Sequence, residues 1–191
     1  MVGAALAQSQ AARAADVERV ESYLNGLNTL QSAFVQINPD GGMATGDLYY
    51  ARPDKMRLDY DPPNQILIVA NGTFLVYHDR KLEQVTHLLP SSTPLGFLLD
   101  DEIELSGDVT VTGLERVGDE ILVTVVQTEE PDQGAVTLVF AEQPLELRRW
   151  TVVDAQGLRT HVMLEQIETG MSLDPDLFDF CNPNSKIRDC E

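Results

Sequence analysis

Few residues in this chain could do acid–base, nucleophilic or metal chemistry, and they are badly placed for it. Three histidines, His78, His87 and His161, lie far apart in the 191 residues. His78 and His87 flank a hairpin at unequal distances from its turn, so they read as strand residues rather than a paired base or ligand set. No G-x-S-x-G, H-E-x-x-H, phosphate-cradling glycine loop or C-x-x-C occurs. The acidic runs Asp100-Asp101-Glu102 and Glu129-Glu130 fall in loops or helix ends and read as solvated charge. Cys181 and Cys190 are too few ligands for a metal. In an exported protein they favour a disulfide across a short loop, with free thiols as the alternative. No catalytic residue, metal or cofactor is expected.

The elements around these residues have a different character. Gly46–Tyr60 reads G-D-L-Y-Y-A-R-P-D-K-M-R-L-D-Y, two alternating strands joined at Arg52-Pro53, with Met56, Leu58 and Tyr60 on one face of the second. Gln65–Gln84 is a hairpin turning at Asn71-Gly72. Thr93–Leu99 reads T-P-L-G-F-L-L, a short apolar helix with Thr93 as N-cap, Pro94 at its first position, and Leu95, Leu98 and Leu99 on one face. A curved sheet with an apolar inner surface, an apolar helix able to cover it and one arginine near the rim suggest a container rather than a catalyst. On periodicity alone the Met56/Leu58/Tyr60 stripe is either ordinary core or cavity lining, and Arg52 is equally a surface residue beside a turn.

The remaining chain supports this architecture. Asp16 can cap a helix over about 17–30, in which Val17, Val20, Leu24, Leu27 and Leu30 recur at helical spacing. From Ala33 the period becomes two, giving about eleven strands near 31–37, 43–51, 55–60, 64–70, 73–78, 82–88, 109–116, 120–128, 134–140, 145–154 and 158–168. Short turns join most of them, so sequence neighbours should pair antiparallel. The expected fold is mainly β with helices: a curved antiparallel sheet forming an incomplete barrel, its concave apolar face covered by short helices. Residues 16–191 form a single domain. Residues 1–15 are small-residue-rich, and Ala5-Leu6-Ala7 or Ala12-Arg13-Ala14 resembles the end of a secretory leader; a disordered remnant of processing is expected there.

Charge narrows the partners. With 13 Lys+Arg against 31 Asp+Glu, the net charge of −18 lacks the basic footprint that nucleic acid requires. No apolar run approaches the ~20 residues of a membrane-spanning helix.

In their order and spacing, several motifs resemble those of the periplasmic outer-membrane lipoprotein carrier family, LolA. They are G-x-L-x-x-x-R-P over Gly46–Pro53, I-L-I-V-A-N-G-T-F-L over Ile66–Leu75, L-E-Q at Leu82–Gln84, T-P-x-x-x-L-L at Thr93–Leu99 and F-x-F-x-x-P at Phe178–Pro183. The resemblance implies a monomeric periplasmic shuttle. It would take acylated lipoproteins from an ATP-driven releasing complex (an ABC transporter) in the inner membrane to a LolB-like receptor at the outer membrane. It implies that Arg52 hydrogen-bonds the lid and holds the empty form closed. It also implies that Leu48, Tyr50, Met56, Leu58, Tyr60 and Val76 line the acyl-chain cavity, and that Leu95, Phe97, Leu98 and Leu99 form the lid. Met56 and Leu58 stand where the family often carries aromatics, and Ser92 where an asparagine is common. Carriers of other lipids or glycolipids, and a lipid-sensing regulatory domain, share the superfamily and are the alternative reading.

Overall fold

Alternation of apolar and polar residues drives almost the whole chain into one sheet. The structure, a computed structural model, describes residues 2–180, with the side chains of residues 10–180. Helix α1 (Val2–Gly26) precedes eleven strands: β1 (Thr29–Ile37), β2 (Met43–Ala51), β3 (Lys55–Tyr60), β4 (Ile66–Asn71), β5 (Leu75–Asp79), β6 (Gln84–Leu88), β7 (Val109–Val117), β8 (Glu120–Gln127), β9 (Gly134–Glu142), β10 (Leu145–Asp154) and β11 (Arg159–Thr169). All pair antiparallel in the order β6-β5-β4-β3-β2-β1-β11-β10-β9-β8-β7. Nine of the ten neighbouring pairs in that order are consecutive in sequence and joined by short connections, and β1 against β11 joins the two halves. Edges β6 and β7 do not meet, so the sheet stays open, and residues 89–108 cross between them.

Strand registers decide which side chains face inward. Tyr50 lies opposite Met56, Leu48 opposite Leu58 and Gly46 opposite Tyr60. On the other half, Leu138 lies opposite Trp150 and Val123. With α1 and the crossover, these inner faces make one continuous apolar core containing Val20, Leu24, Phe34, Leu48, Leu58, Ile121, Val123, Leu138 and Phe140. Gly46 is required in this layer: a Cβ there would sit 2.2 Å from the Asp59 carbonyl oxygen and 2.8 Å from the Phe34 ring. That ring packs edge-on against Tyr60, 5.0 Å between centroids.

Three expectations are corrected. The first helix ends at Gly26 rather than near 30, so Leu27 and Leu30 reach the core from the connection and from β1. It also begins at Val2, and Asp16 therefore lies within it rather than capping it. Asp16 instead pairs with Arg116 of β7 at 2.6 Å, and Arg116 also binds Glu142 of β9, pinning this part of α1 to the β7–β9 rim. Finally, Thr93–Leu99 is not one capped helix. Two 3-10 turns, Pro90–Ser92 and Gly96–Leu99, replace it, and Thr93 closes the first by donating its Oγ1 hydroxyl and its N–H to the Pro90 carbonyl.

A second, smaller core lies on the outer face of β3–β5. Leu67 and Val69 are fully buried there, together with Val76 and Phe178. The turn Pro175–Phe178 covers them, anchored by Arg57 Nη1 donating to the Leu177 carbonyl at 3.1 Å. Strand β4 is thus buried on both sides, as its unbroken run I-L-I-V-A permits. Cys181 and Cys190, and the disulfide expected between them, lie outside the described residues.

Candidate functional site

The inner face of β1–β3 and β10–β11 meets the roof over a small apolar hollow. Its walls are Leu30, Leu48, Tyr50, Met56, Leu147, Trp150 and Leu164, and its ceiling is Leu24 and Leu27 with Leu95 and Leu98. The free volume is about 30 Å³. That is room for about two or three water molecules, so the roof's own side chains occupy most of the hollow. Phe97, Leu98, Leu99, Ile103 and Leu105 are all buried, although the segment carrying them lies outside any strand or α-helix.

Polar contacts fasten this roof at its margin. Arg52, at the β2–β3 turn, donates from Nη2 to the Asp101 carbonyl at 2.7 Å and from Nη1 to the Leu24 carbonyl at 3.3 Å. The Leu24 carbonyl belongs to the last turn of α1, where helical carbonyls lack partners and the dipole favours a cation. The Tyr50 hydroxyl donates to the Leu98 carbonyl at 2.6 Å, and the Asp54 N–H donates to the Leu99 carbonyl at 3.1 Å. Burial pushes the Tyr50 hydroxyl up to about 12, partly offset by Arg52, so it stays a donor throughout the neutral range. At the other end of the crossover, Gln127 Nε2 donates to the Ser91 carbonyl at 2.9 Å.

Gly96 sets how tightly the two 3-10 turns fold on each other. A Cβ there would fall 1.9 Å from the Pro90 carbonyl oxygen. Beside this junction a second hollow of about 150 Å³ opens between Ser92 and Pro94 and the β8–β9 residues Val125, Gln127, Ala135 and Val136.

Most of the residues singled out in the sequence converge here. Leu48, Tyr50, Met56, Leu95 and Leu98 border the hollow itself, while Leu58 and Tyr60 continue its inner face away from the roof. Tyr60 donates to Gln36 Oε1 at 2.7 Å and, like Tyr50, is pushed up to about 12 by burial. Val76 does not join them. It lies opposite Val69 on the outer face, and Leu75 and Tyr77 hold the inner positions on β5. Both faces of β5 are apolar enough that alternation alone did not choose between them. The sequence reading also missed Leu147, Trp150 and Leu164; the period-two pattern of β10 and β11 was the available signal, but these strands lie about a hundred residues beyond β2 and β3.

The protein is thus an open sheet with an apolar inner face, closed over by a roof of the same chain. The family described as outer membrane lipoprotein carrier protein LolA matches residues 25–181, and the chain belongs to that family of carriers. Among curated relatives, the outer-membrane lipoprotein carrier protein of Methylococcus capsulatus is 30% identical over 174 residues, covering 86% of this chain and 83% of the relative. That of Nitrosomonas europaea is 29% identical, covering 90% and 87%. A crystal structure of an uncharacterised conserved protein from Thermus thermophilus shares the fold at a TM-score of 0.53 and 12% identity, covering 91% of this chain and 96% of that one.

Proposed function

We propose that this protein carries acylated lipoproteins across the periplasm, holding their acyl chains under the roof between an inner-membrane ABC releasing complex and an outer-membrane receptor. One observation carries the reading: an all-apolar lining is covered by an equally apolar segment fastened by Arg52 and Tyr50 rather than by packing into a regular element. Family membership and the carrier names of the relatives support it.

The energies suit a cargo that must be released. An acyl chain of about fifteen methylenes gains ~12 kcal/mol when fully withdrawn from water, at ~0.8 kcal/mol each. The five buried roof side chains, at ~1.5–3 kcal/mol each, lose roughly 8–15 kcal/mol if fully exposed on opening. Guest and roof compete for one surface with comparable strength, so net affinity is the difference and release needs no covalent step. Arg52, with donors fixed in a fork, adds to the closed side of that balance.

The test uses the single tryptophan, Trp150, which lies in the hollow wall. Titrating the protein with a diacylated lipopeptide should shift Trp150 emission saturably, and loaded protein should surrender the lipopeptide to acceptor vesicles bearing the receptor. Native mass spectrometry of protein from its host should show lipoprotein as the bound species. A bound glycolipid or other lipid instead, with no response to lipopeptide, would reject lipoprotein carriage in favour of another cargo.

A further inference from the structure

The roof has two parts, helix α1 and the crossover, and side chains of α1 bind them to each other. Glu21 and Asn25 are four residues apart on α1 and so share one face. Asn25 Nδ2 donates to the Ile103 carbonyl at 2.9 Å, and Asn25 Oδ1 accepts the Ile103 N–H at 2.9 Å. One side chain thus satisfies both polar groups of one backbone residue, as a neighbouring strand would. Glu21 Oε1 accepts the Leu105 N–H at 2.6 Å. Ile103 and Leu105 are each 2% exposed, so their amides sit where a lost partner is costly.

The position of these bonds matters as much as their number. Arg52 grips the Leu24 carbonyl, one residue before Asn25, and the Asp101 carbonyl, two residues before Ile103. It therefore holds both parts of the roof at the place where Asn25 ties them together. If the crossover lifted alone it would break both Asn25 bonds and the Glu21 bond. If α1 lifted with it, all three would survive. The joint movement instead breaks the Leu147 N–H bond to the Tyr23 hydroxyl, so a balance of two bonds biases opening towards it on the order of 30-fold. Towards its other end, α1 is pinned to the β7–β9 rim through Asp16, Arg116 and Glu142. Towards its C-terminal end the helix is held to the sheet by Tyr23, whose hydroxyl accepts the Leu147 N–H at 3.0 Å, as well as by Arg52, so a swing at that end must break both contacts.

We propose that Asn25 clasps α1 to the crossover, so that loss of Arg52's grip opens the roof in one movement; Asn25 is a positioning residue for the acyl-chain site. The purpose of the clasp rests on the carrier reading, but its test does not. Spin labels on Ser22→Cys (α1), Glu102→Cys (crossover) and Gln156→Cys (the β10–β11 turn), placed in pairs with Cys181 and Cys190 changed to serine, report the three distances in ligand-free protein. With Arg52→Leu, both roof-to-sheet distances should shift to longer values together while the Ser22–Glu102 distance stays sharp. Adding Asn25→Ala should broaden the Ser22–Glu102 distance as well. Hydrogen exchange at the Ile103 amide should rise about tenfold in Asn25→Ala but little in Asn25→Asp, which keeps the acceptor. The clasp is overturned if Arg52→Leu lengthens the Glu102–Gln156 distance while Ser22–Gln156 stays unchanged, or if Ser22–Glu102 stays sharp without Asn25. Failure of lipopeptide to shift Trp150 would instead reject the carrier reading and leave the clasp standing.

Discussion

Arg52 is the residue on which control of the roof is expected to turn, because it alone among the described residues reaches both α1 and the crossover from the sheet. Replacing it with leucine should leave the fold intact while lipid-loaded protein accumulates and delivery to acceptor vesicles slows. Unchanged transfer kinetics in the reconstituted assay would remove Arg52 from the release step. Met56 borders the hollow and is only half-buried, so Met56→Glu should fold. Its carboxylate, unpaired in an apolar lining, should abolish the Trp150 response to lipopeptide; an undiminished response would place the guest elsewhere. The role of Arg52 could not be derived from its surroundings in sequence. The carbonyls it serves lie 28 and 49 residues away, and a backbone carbonyl carries no mark of side-chain type. Only the resemblance to a family pointed to it.

The crossover is the element whose local structure departs most from its pattern. Pro90 and Pro94 lack N–H donors, and the stretches that follow each of them are too short to nucleate an α-helix, so two 3-10 turns form instead. Their close approach depends on Gly96, which predicts that Gly96→Ala loosens the roof without touching the lining. Acrylamide should quench Trp150 more efficiently in that variant before any ligand is added, and equal quenching would show that the turns can yield by a different route. The strands, in contrast, lie within a few residues of their expected bounds. Alternation over nine or ten residues is a strong local signal, and turns such as Asn71-Gly72 mark where it stops.

Over the whole molecule the sheet supports two cores rather than one. The outer core contains a buried charge cluster: Asp59 accepts from Arg57 at 2.7 Å and from Arg80 at 2.9 Å. Burial alone would raise the Asp59 carboxyl, but the hydrogen bonds from Arg80 and Arg57 outweigh it and hold the group below the usual range. A folded-state value below the unfolded one stabilises the protein above the unfolded value, about pH 4, and that stabilisation is lost as pH falls through the folded one. The urea midpoint should therefore fall below about pH 4, with a shallower fall in Asp59→Asn; parallel profiles would discount the cluster. The sequence by itself determined the strand count and neighbour pairing, the apolar inner stripe of β3 and the lack of a catalytic motif, because each is written in short-range periodicity or residue type. Tertiary structure alone decided that Val76 faces outward, that the C-terminal turn covers β4, and that the roof fills most of its own hollow. A strand apolar on both sides offers no local reason to prefer one face, and a carbonyl's partner is chosen only when distant segments meet.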